Sequence, residues 1–456
     1  MSSNAVKQFI IPNGTLTIDS STLHNRVTLT EVYIPNSVTS IGYGAFKGCT
    51  SLSKVFIPNS VTSIGRSAFA GCSSLTKMVI PNSVTAIEVW TFRVCTSLSK
   101  VNIPDSVTFI DGCAFQDCKS LTEVDIPNSV ISIGGWAFNG CSALTEIVIP
   151  NSVTSIGDGA LCGCTSLIKV VIPNSVTAIE GGVFNGCSAL TEIVIPNSVT
   201  FIGNGAFSGC TSLIKVVIPN SVTAIEERTF SECSALTEVF IPNSVTSIGC
   251  RAFSGCSALT EVFIPNSVTS FGEKAFFLCS ALTEVVIPNS VTSSEEHAFY
   301  GCTSLIKVVI PNNMTFSGDY AFEQCSSLRV VIVYSMNEPS ENNAYMCNQL
   351  LEVLPRLCIL IVPFADLQYI NINAYNPRCS VLANGPSARM KAAQAIYWNV
   401  HGMQVSTDNE QTWLLMMLMS FNQYFIREKI SLPNEMIRII LENIDWSNMN
   451  TCADCN

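Results

Sequence analysis

One spacing dominates this chain: the dipeptide Ile-Pro recurs every 23 residues from Pro12 to Pro311, fourteen times and without an insertion. Cysteines, leucines and phenylalanines keep the same step. These series run from Cys49 to Cys325, from Leu52 to Leu328 and from Phe46 to Phe322, with Leu161 once in place of phenylalanine. A fixed period of this length is typical of repeat proteins, in which each unit buries its apolar face only by stacking on its neighbours.

The repeat that begins at Leu144 shows how each unit is built. Ile147 and Ile149 lie two residues apart, which is the period of a half-buried strand. Pro150 then ends the strand, because proline cannot donate a hydrogen bond to a β-ladder. Val153 returns the chain to the interior. The Ala-Phe-x-Gly-Cys segment that closes most repeats is too short for a regular helix, and we interpret it as a turn.

These patterns predict a repeat solenoid, mainly β, in which 23-residue coils stack to form a parallel sheet over residues 1–334. The register fails after this point. Residues 335–345 are polar and predict a linker, whereas residues 346–456 predict a small α-helical C-terminal domain that caps the solenoid. Its predicted helices span 387–400, 408–429 and 433–446.

The pattern Leu-x-x-Val-x-Ile-Pro-x-Ser-Val-x-x-Ile-Gly-x-x-Ala-Phe-x-x-Cys, which covers residues 6–334, resembles the BspA-like branch of the leucine-rich repeats. Members of that family are solenoids implicated in adhesion and protein recognition. The resemblance therefore implies a binding scaffold, and it does not name a ligand. A second, local resemblance is that of residues 432–441 to the opening helix of an F-box. It implies a possible adaptor helix, carried by Pro433, Ile437, Ile440, Leu441 and Ile444.

Two columns of polar or reactive side chains are interpreted as structural. The thirteen cysteines of the repeat point the same way along one axis, which predicts small, buried, reduced side chains instead of disulfides or a metal site. Cys452 and Cys455 form an isolated Cys-x-x-Cys without a second pair, which is weak evidence for zinc. The asparagine after each Ile-Pro predicts a ladder of amides that bond the backbone of adjacent coils.

Some late repeats depart from the pattern. Phe271, Ser294 and Ser317 stand where other repeats carry an inward isoleucine. We therefore expect the last coils to pack less tightly.

The residue between each inward valine and the following inward isoleucine must face outward, and twelve of these fourteen residues are apolar or aromatic. Such a stripe exceeds what monomers usually expose and suggests a partner surface. The alternative is that strands favour these residues and that duplication copied them. The candidate partner-binding residues are Tyr33, Phe56, Val148, Val171, Val194, Val217, Phe240 and Phe263.

A charged series runs two positions before the apolar one. In it, Lys54, Lys77 and Lys100 fall on three successive rungs, where like charges destabilise a sheet unless an anion neutralises them. We expect an acidic partner to contact these three lysines.

Composition narrows the functional class. A net charge of −11 argues against nucleic-acid binding over a broad basic surface. No apolar run reaches the ~20 residues of a membrane span. The histidines, His24, His297 and His401, lie in no catalytic motif. The sequence therefore predicts no catalytic residue, cofactor or metal site.

Together these observations predict a non-enzymatic protein–protein interaction scaffold that uses the outward sheet face, with partners of unknown identity and with self-association also open. The alternatives are a surface adhesin-type binding protein and a substrate receptor that recruits a ubiquitin-ligase adaptor through the C-terminal helix. Reduced cysteines and an N-terminus without a secretory pattern favour a cytoplasmic location. A surface location is the alternative.

Overall fold

A computed structural model describes residues 8–311, 314–316, 320–334, 359–363 and 380–384. The chain divides into two units, one made of Met1–Leu360 with Gln368–Ser380 and the other of Ile361–Leu367 with Val381–Asn456. The repeats lie in the first unit.

Each of the first fourteen coils contributes one strand to each of two sets of parallel strands, and Val330–Tyr334 adds a fifteenth strand to the first set. The strands of the first set, the long ladder, are Gln8–Ile10, Glu31–Tyr33, Lys54–Phe56, Lys77–Val79, Lys100–Asn102, Glu123–Val124, Glu146–Val148, Lys169–Val171, Glu192–Val194, Lys215–Val217, Glu238–Phe240, Glu261–Phe263, Glu284–Val286, Lys307–Pro311 and Val330–Tyr334.

The strands of the second set, the short ladder, follow the Ile-Pro turn of each coil. They are Thr17–Ile18, Ser40–Ile41, Ser63–Ile64, Ala86–Ile87, Phe109–Ile110, Ser132–Ile133, Ser155–Ile156, Ala178–Ile179, Phe201–Ile202, Ala224–Ile225, Ser247–Ile248, Ser270–Phe271, Ser293–Ser294 and Thr315–Phe316. The helix Ser20–Leu23 belongs to the first coil, and Asp19 caps it by accepting a hydrogen bond from the Ser21 amide.

Strand pairing follows the sequence period. Val216 pairs with Val239, and Ile225 pairs with Ile248, each 23 residues further along the chain. A parallel ladder with this register places equivalent residues of successive coils side by side. The prediction of a mainly β parallel solenoid of about 14 coils is therefore confirmed.

The core consists of columns of identical residues. Val153, Ile156 and Cys164 of one coil are all buried, as are their equivalents in neighbouring coils. The phenylalanines stack face to face, as Phe46 does on Phe69 with centroids 5.0 Å apart. Leu161 interrupts this stack and is itself buried. The inward positions read from the sequence are thus the core positions of the fold.

The turn after each Ile-Pro corrects one prediction. In this turn the Val38 amide donates to the Pro35 carbonyl, and Asn36 occupies the exposed outer corner. The ladder expected of the asparagines is built instead by the serine that follows, because that side chain turns toward the preceding coil. Ser60 Oγ donates to the Val38 carbonyl at 2.7 Å, and the same bond recurs in later coils.

The late coils compensate for their unusual residues. Ser294 is fully buried next to Phe271, whose ring meets those of Phe276 and Phe299 edge-on at 5.9 Å. A large residue thus stands beside a small one. On the next rung the ladder pairs Ser294 with Phe316, one residue earlier than the period predicts. Ser317 lies outside the described residues.

Beyond residue 334 the structure describes the strands Ile359–Pro363 and Ser380–Asn384. Both lie in the segment predicted to be helical, although outside its three predicted helices. The run Ile359-Leu-Ile-Val is rich in β-branched residues, which accounts for a strand there. The three predicted helices, including Pro433, Ile437, Ile440, Leu441 and Ile444, lie outside the described residues.

Candidate functional site

The outward residues of the long ladder form a continuous exposed row. We call seven of them the apolar stripe, which occupies seven successive rungs and spans roughly 29 Å. Their exposed fractions range from 45% to 80%, and inward residues on either side of each one are buried. The stripe consists of Val148, Val171, Val194, Val217, Phe240, Phe263 and Val286.

A second, shorter aromatic surface lies on the N-terminal coils. The exposed rings of Tyr33 and Phe56 stack with centroids 5.4 Å apart and planes 15° apart. The Tyr33 hydroxyl donates to Glu31, and this hydrogen bond raises the pKa of Tyr33. Asn102 and Asp125 separate this pair from the apolar stripe. The outward face therefore has two apolar parts.

The charged row beside the apolar stripe is largely paired along the sheet. Lys215 contacts Glu238 at 2.9 Å, and Lys307 contacts Glu284 at 2.9 Å. All four side chains lie on the surface, where one ion pair adds little stability. These ion pairs place neutralised charges beside most of the apolar stripe.

The expected stack of three uncompensated lysines is corrected by the structure. Lys100 pairs with Glu123 at 2.5 Å, and this hydrogen bond raises the pKa of Lys100. Lys77 is paired in register with Lys100, and Lys54 lies on the preceding rung. Among the described residues, no carboxylate lies within ion-pair distance of Lys54 or Lys77. The excess positive charge is therefore limited to these two lysines.

An opposite charge excess, which the sequence reasoning did not single out, lies beside the two stripe phenylalanines. Glu238, Glu261 and Glu284 occupy successive rungs in register. Lysines from the flanking coils pair with the outer two, and within the described part of the chain no cation lies within 4 Å of Glu261. The signal was present in the charged series, where three glutamates follow one another.

The cysteine column carries no reactive site. Its thirteen members are buried and free, and the Sγ of Cys95 donates to the Phe69 carbonyl at 3.2 Å. Burial raises the pKa of Cys95 and of Cys279 to about 12, so both remain protonated at neutral pH. In the described ranges no group of three or more metal-ligating side chains converges on one point. Cys452 and Cys455 lie outside these ranges.

The described residues contain no helix with the length and apolar character needed to cross a bilayer.

Among solved structures, three leucine-rich repeat proteins of bacteria are similar to this chain. The protein from Bacteroides ovatus ATCC 8483 is 28% identical over 73% of this chain and 91% of its own, with a TM-score of 0.47. A leucine-rich cell surface protein from Faecalibacterium prausnitzii A2-165 is 29% identical over 75% and 90%, with a TM-score of 0.41. A third, from Eubacterium ventriosum ATCC 27560, is 26% identical over 64% and 82%, with a TM-score of 0.49.

No curated protein matches the chain. A family model described as a BspA type leucine-rich repeat region in six copies matches residues 1–122, 110–237 and 223–352. These matches cover the solenoid and more than half of the sequence. The chain therefore belongs to the BspA-type leucine-rich repeat family.

Proposed function

We propose that this protein is a non-enzymatic scaffold that binds a protein partner through the apolar stripe. Leucine-rich repeat proteins are typically interaction or surface-binding proteins, and their solenoid is a binding scaffold, not a typical enzyme fold. The observation that carries the proposal is the row of seven exposed apolar side chains on seven successive rungs. An apolar surface of this extent favours burial against a partner.

The charges beside the stripe favour a partner with matching chemistry. Phe240 and Phe263 are paired in register, and Glu261 lies on the same strand as Phe263. Adjacent exposed aromatic side chains are suited to serve as anchors of an interface. A partner segment with apolar residues flanked by a lysine or arginine would bury the two rings and neutralise Glu261. At the N-terminal coils, Lys54 and Lys77 favour an acidic partner segment instead.

Affinity capture with the full chain tests the proposal. Phe240→Asn combined with Phe263→Asn removes the two largest anchors, and Asn102 shows that asparagine is accepted at this position. We expect the double variant to lose proteins that the wild type retains. The matched control is Phe201→Asn, which removes an exposed phenylalanine of the short ladder. Retention of every partner by the double variant would rule out the stripe.

The two charge patches can be tested separately. Glu261→Gln should weaken a stripe-bound partner and reduce the salt dependence of its binding, because one charge pair is removed. Changing Lys54, Lys77 and Lys100 to glutamate should release any partner held at the N-terminal coils. Unchanged binding of all partners by the triple variant would end the idea of an acidic contact there.

An intracellular location is part of the same proposal. The free cysteines support it, because Cys113, Cys162 and Cys250 are partly accessible and free thiols are typical of reducing compartments. Cell fractionation would decide between this location and the cell surface. Labelling of intact cells by an impermeant reagent would favour the surface.

A further inference from the structure

A second candidate site lies at the turn that follows the short ladder, away from the apolar stripe. The residue three positions after the inward isoleucine of each coil, or after its substitute, has a positive φ in every coil from Gly44 to His297. We call it the left-handed position. Glycine is suited to this conformation, and bulky side chains are outliers there. Trp90 and Trp136 nevertheless occupy it, each with φ of 60°. Non-glycine residues hold the same conformation in six other coils, so the positive φ belongs to the turn itself and the two tryptophans differ by their large rings: these six are Ser67, Cys113, Arg228, Arg251, Lys274 and His297.

Trp136 is exposed and Trp90 is half-buried, and contacts with neighbouring residues hold both rings in place. A Cβ on Gly159 would come within 2.9 Å of Cδ2 of Trp136, so this ring lies against the glycine backbone of the next coil. The residue keeps 45% of its surface exposed. The Arg66 guanidinium carbon lies 4.2 Å from the centroid of the Trp90 ring, which is a cation–π contact.

The spacing between the two tryptophans is fixed by the stack of coils. The Trp90 amide donates to the Gly112 carbonyl at 3.2 Å, and the Cys113 amide donates to the Gly135 carbonyl at 2.9 Å. Trp90 and Trp136 therefore stand two coils apart, about 9.6 Å at the usual distance between strands. The coil between them carries the smaller Cys113 at the left-handed position.

A row of planar polar groups runs across the same coils, and we call it the amide row. Arg93 Nε donates to Gln116 Oε1 at 2.8 Å, and Gln116 Nε2 donates to Asn139 Oδ1 at 3.1 Å. Asn139 Nδ2 donates in turn to the Cys162 carbonyl at 2.9 Å. Each of these side chains keeps donors or acceptors beyond those used in the row.

The amide row and the tryptophans belong to the same turns. The Arg93 amide donates to the Trp90 carbonyl at 3.2 Å, and the Asn139 amide donates to the Trp136 carbonyl at 3.1 Å. Aromatic rings and ordered amides are thus presented together on one edge of the first unit.

We infer that this edge binds a linear β-1,4-linked oligosaccharide. Pyranose rings with equatorial substituents have apolar C–H faces that stack on indoles, and their hydroxyl groups hydrogen-bond planar amides and guanidinium groups. In a β-1,4-linked chain successive rings are turned over, so the same face recurs at every second ring. Two coils of the solenoid match this repeat, which allows Trp90 and Trp136 to contact alternate rings while the intervening ring lies over Cys113.

The surroundings favour a glycan over a protein. Protein hot spots are usually ringed by contacts that exclude water. Here the Trp136 ring lies against Gly159, and the Trp90 ring lies against the charged Arg66. Such a polar rim suits a ligand that is covered with hydroxyl groups.

Titration calorimetry of the full chain with cellohexaose and with chitohexaose tests the inference. We expect saturable binding of at least one, and the two probes distinguish a hydroxyl from an acetamido group on the bound ring. Maltohexaose, whose α-linkage coils the chain, should not bind. Absence of saturable binding by both β-1,4-linked probes, or equal binding of maltohexaose, would overturn the inference.

Trp90→Gly and Trp136→Gly provide the decisive variants, because Gly159, Gly182 and Gly205 occupy the same position and the fold should be retained. Each should weaken binding about ten-fold or more, the size of one lost stacking contact. Phe240→Asn is the matched control and should bind sugar as the wild type does, whatever becomes of the protein partner. If the glycine variants bound the sugar as tightly as the wild type does, the inference would be contradicted. It would also be contradicted if they lost a captured protein while the wild type bound no sugar.

Discussion

At the residue scale, the residue that fits at a position can depend on the side chain of the adjacent coil. Trp136, a large side chain at a left-handed turn, lies over Gly159 of the next coil. The same holds for Leu278, whose Cδ2 would lie 2.5 Å from a Cβ on Gly301. Glycine is therefore needed at such positions for two reasons, the positive φ and the occupied space.

Comparing two glycines separates these reasons. Gly159 and Gly182 have φ of 60° and 61°, but only the Cβ of Gly159 would meet an indole. Gly182→Ala should cost about 1–2 kcal/mol, the cost of a left-handed alanine, and Gly159→Ala should cost more. Thermal unfolding midpoints measure both. In a Trp136→Gly background the two costs should become equal, and equal costs in the wild type would contradict the packing argument.

The cysteine column makes the fold sensitive to alkali. Burial raises the pKa of Cys95 and Cys279 to about 12, above the ordinary value of 9.0. Because the folded-state pKa is raised, the protonated thiols make their full contribution to the free energy of unfolding below pH 9. This contribution is lost as the pH rises from 9 toward 12. We expect the unfolding midpoint to fall across this range. The variant Cys95→Ala with Cys279→Ala should show a shallower fall, and an unchanged slope would argue against thiol titration.

At the scale of the element, alternation along a strand was sufficient to predict which side each residue faces. Val194 is exposed while Ile193 and Ile195 are buried, as a two-residue period requires. The period could not show that serine forms the ladder that was expected of asparagine. Which of the two does so depends on which turn residue points toward the preceding coil. Nor could it show the pairing of Ser294 with Phe316, where the short ladder slips by one residue.

The pair of Phe271 and Ser294 gives a test of packing between elements. The Phe271 ring already reaches Phe299 of the coil that contains Ser294, so Ser294→Ile should overpack this region. We expect a loss of about 1–3 kcal/mol in the free energy of unfolding. Adding Phe271→Ile restores the isoleucine pair of other coils and should recover stability. Independent, additive effects in urea denaturation would show that the two residues are not coupled.

At the scale of the whole molecule, the repeat period predicted the solenoid and the position of the apolar stripe. It could not predict which charges pair. Lys100 bonds Glu123, so the expected trio of free lysines reduces to Lys54 and Lys77. Ion pairing depends on the conformations that long side chains adopt between neighbouring rungs, and the repeat period does not specify these conformations. The proposed glycan site depends on Trp90 and Trp136, which depart from the repeat pattern and are therefore absent from a consensus sequence.

A repeat built in this way should tolerate the loss of one whole unit. Deleting residues 167–189 joins Ser166 to Leu190 and lets the two flanking coils stack directly on each other in the same register. Because each coil contacts only adjacent coils, we expect a folded protein with a modestly lower unfolding midpoint. Deleting residues 167–188 instead leaves one extra residue that must bulge, and its midpoint should be lower. Loss of the β signal in circular dichroism after the clean deletion would contradict a coil-by-coil fold.

The most direct test of the proposed function is photocrosslinking from the stripe itself. The full chain would carry a photoreactive phenylalanine at position 240, at position 263 or, as a control, at position 201, all of which are exposed. We expect positions 240 and 263 to crosslink the same partner protein and position 201 to crosslink none of it. Equal crosslinking from position 201, or crosslinking from that position alone, would contradict the account.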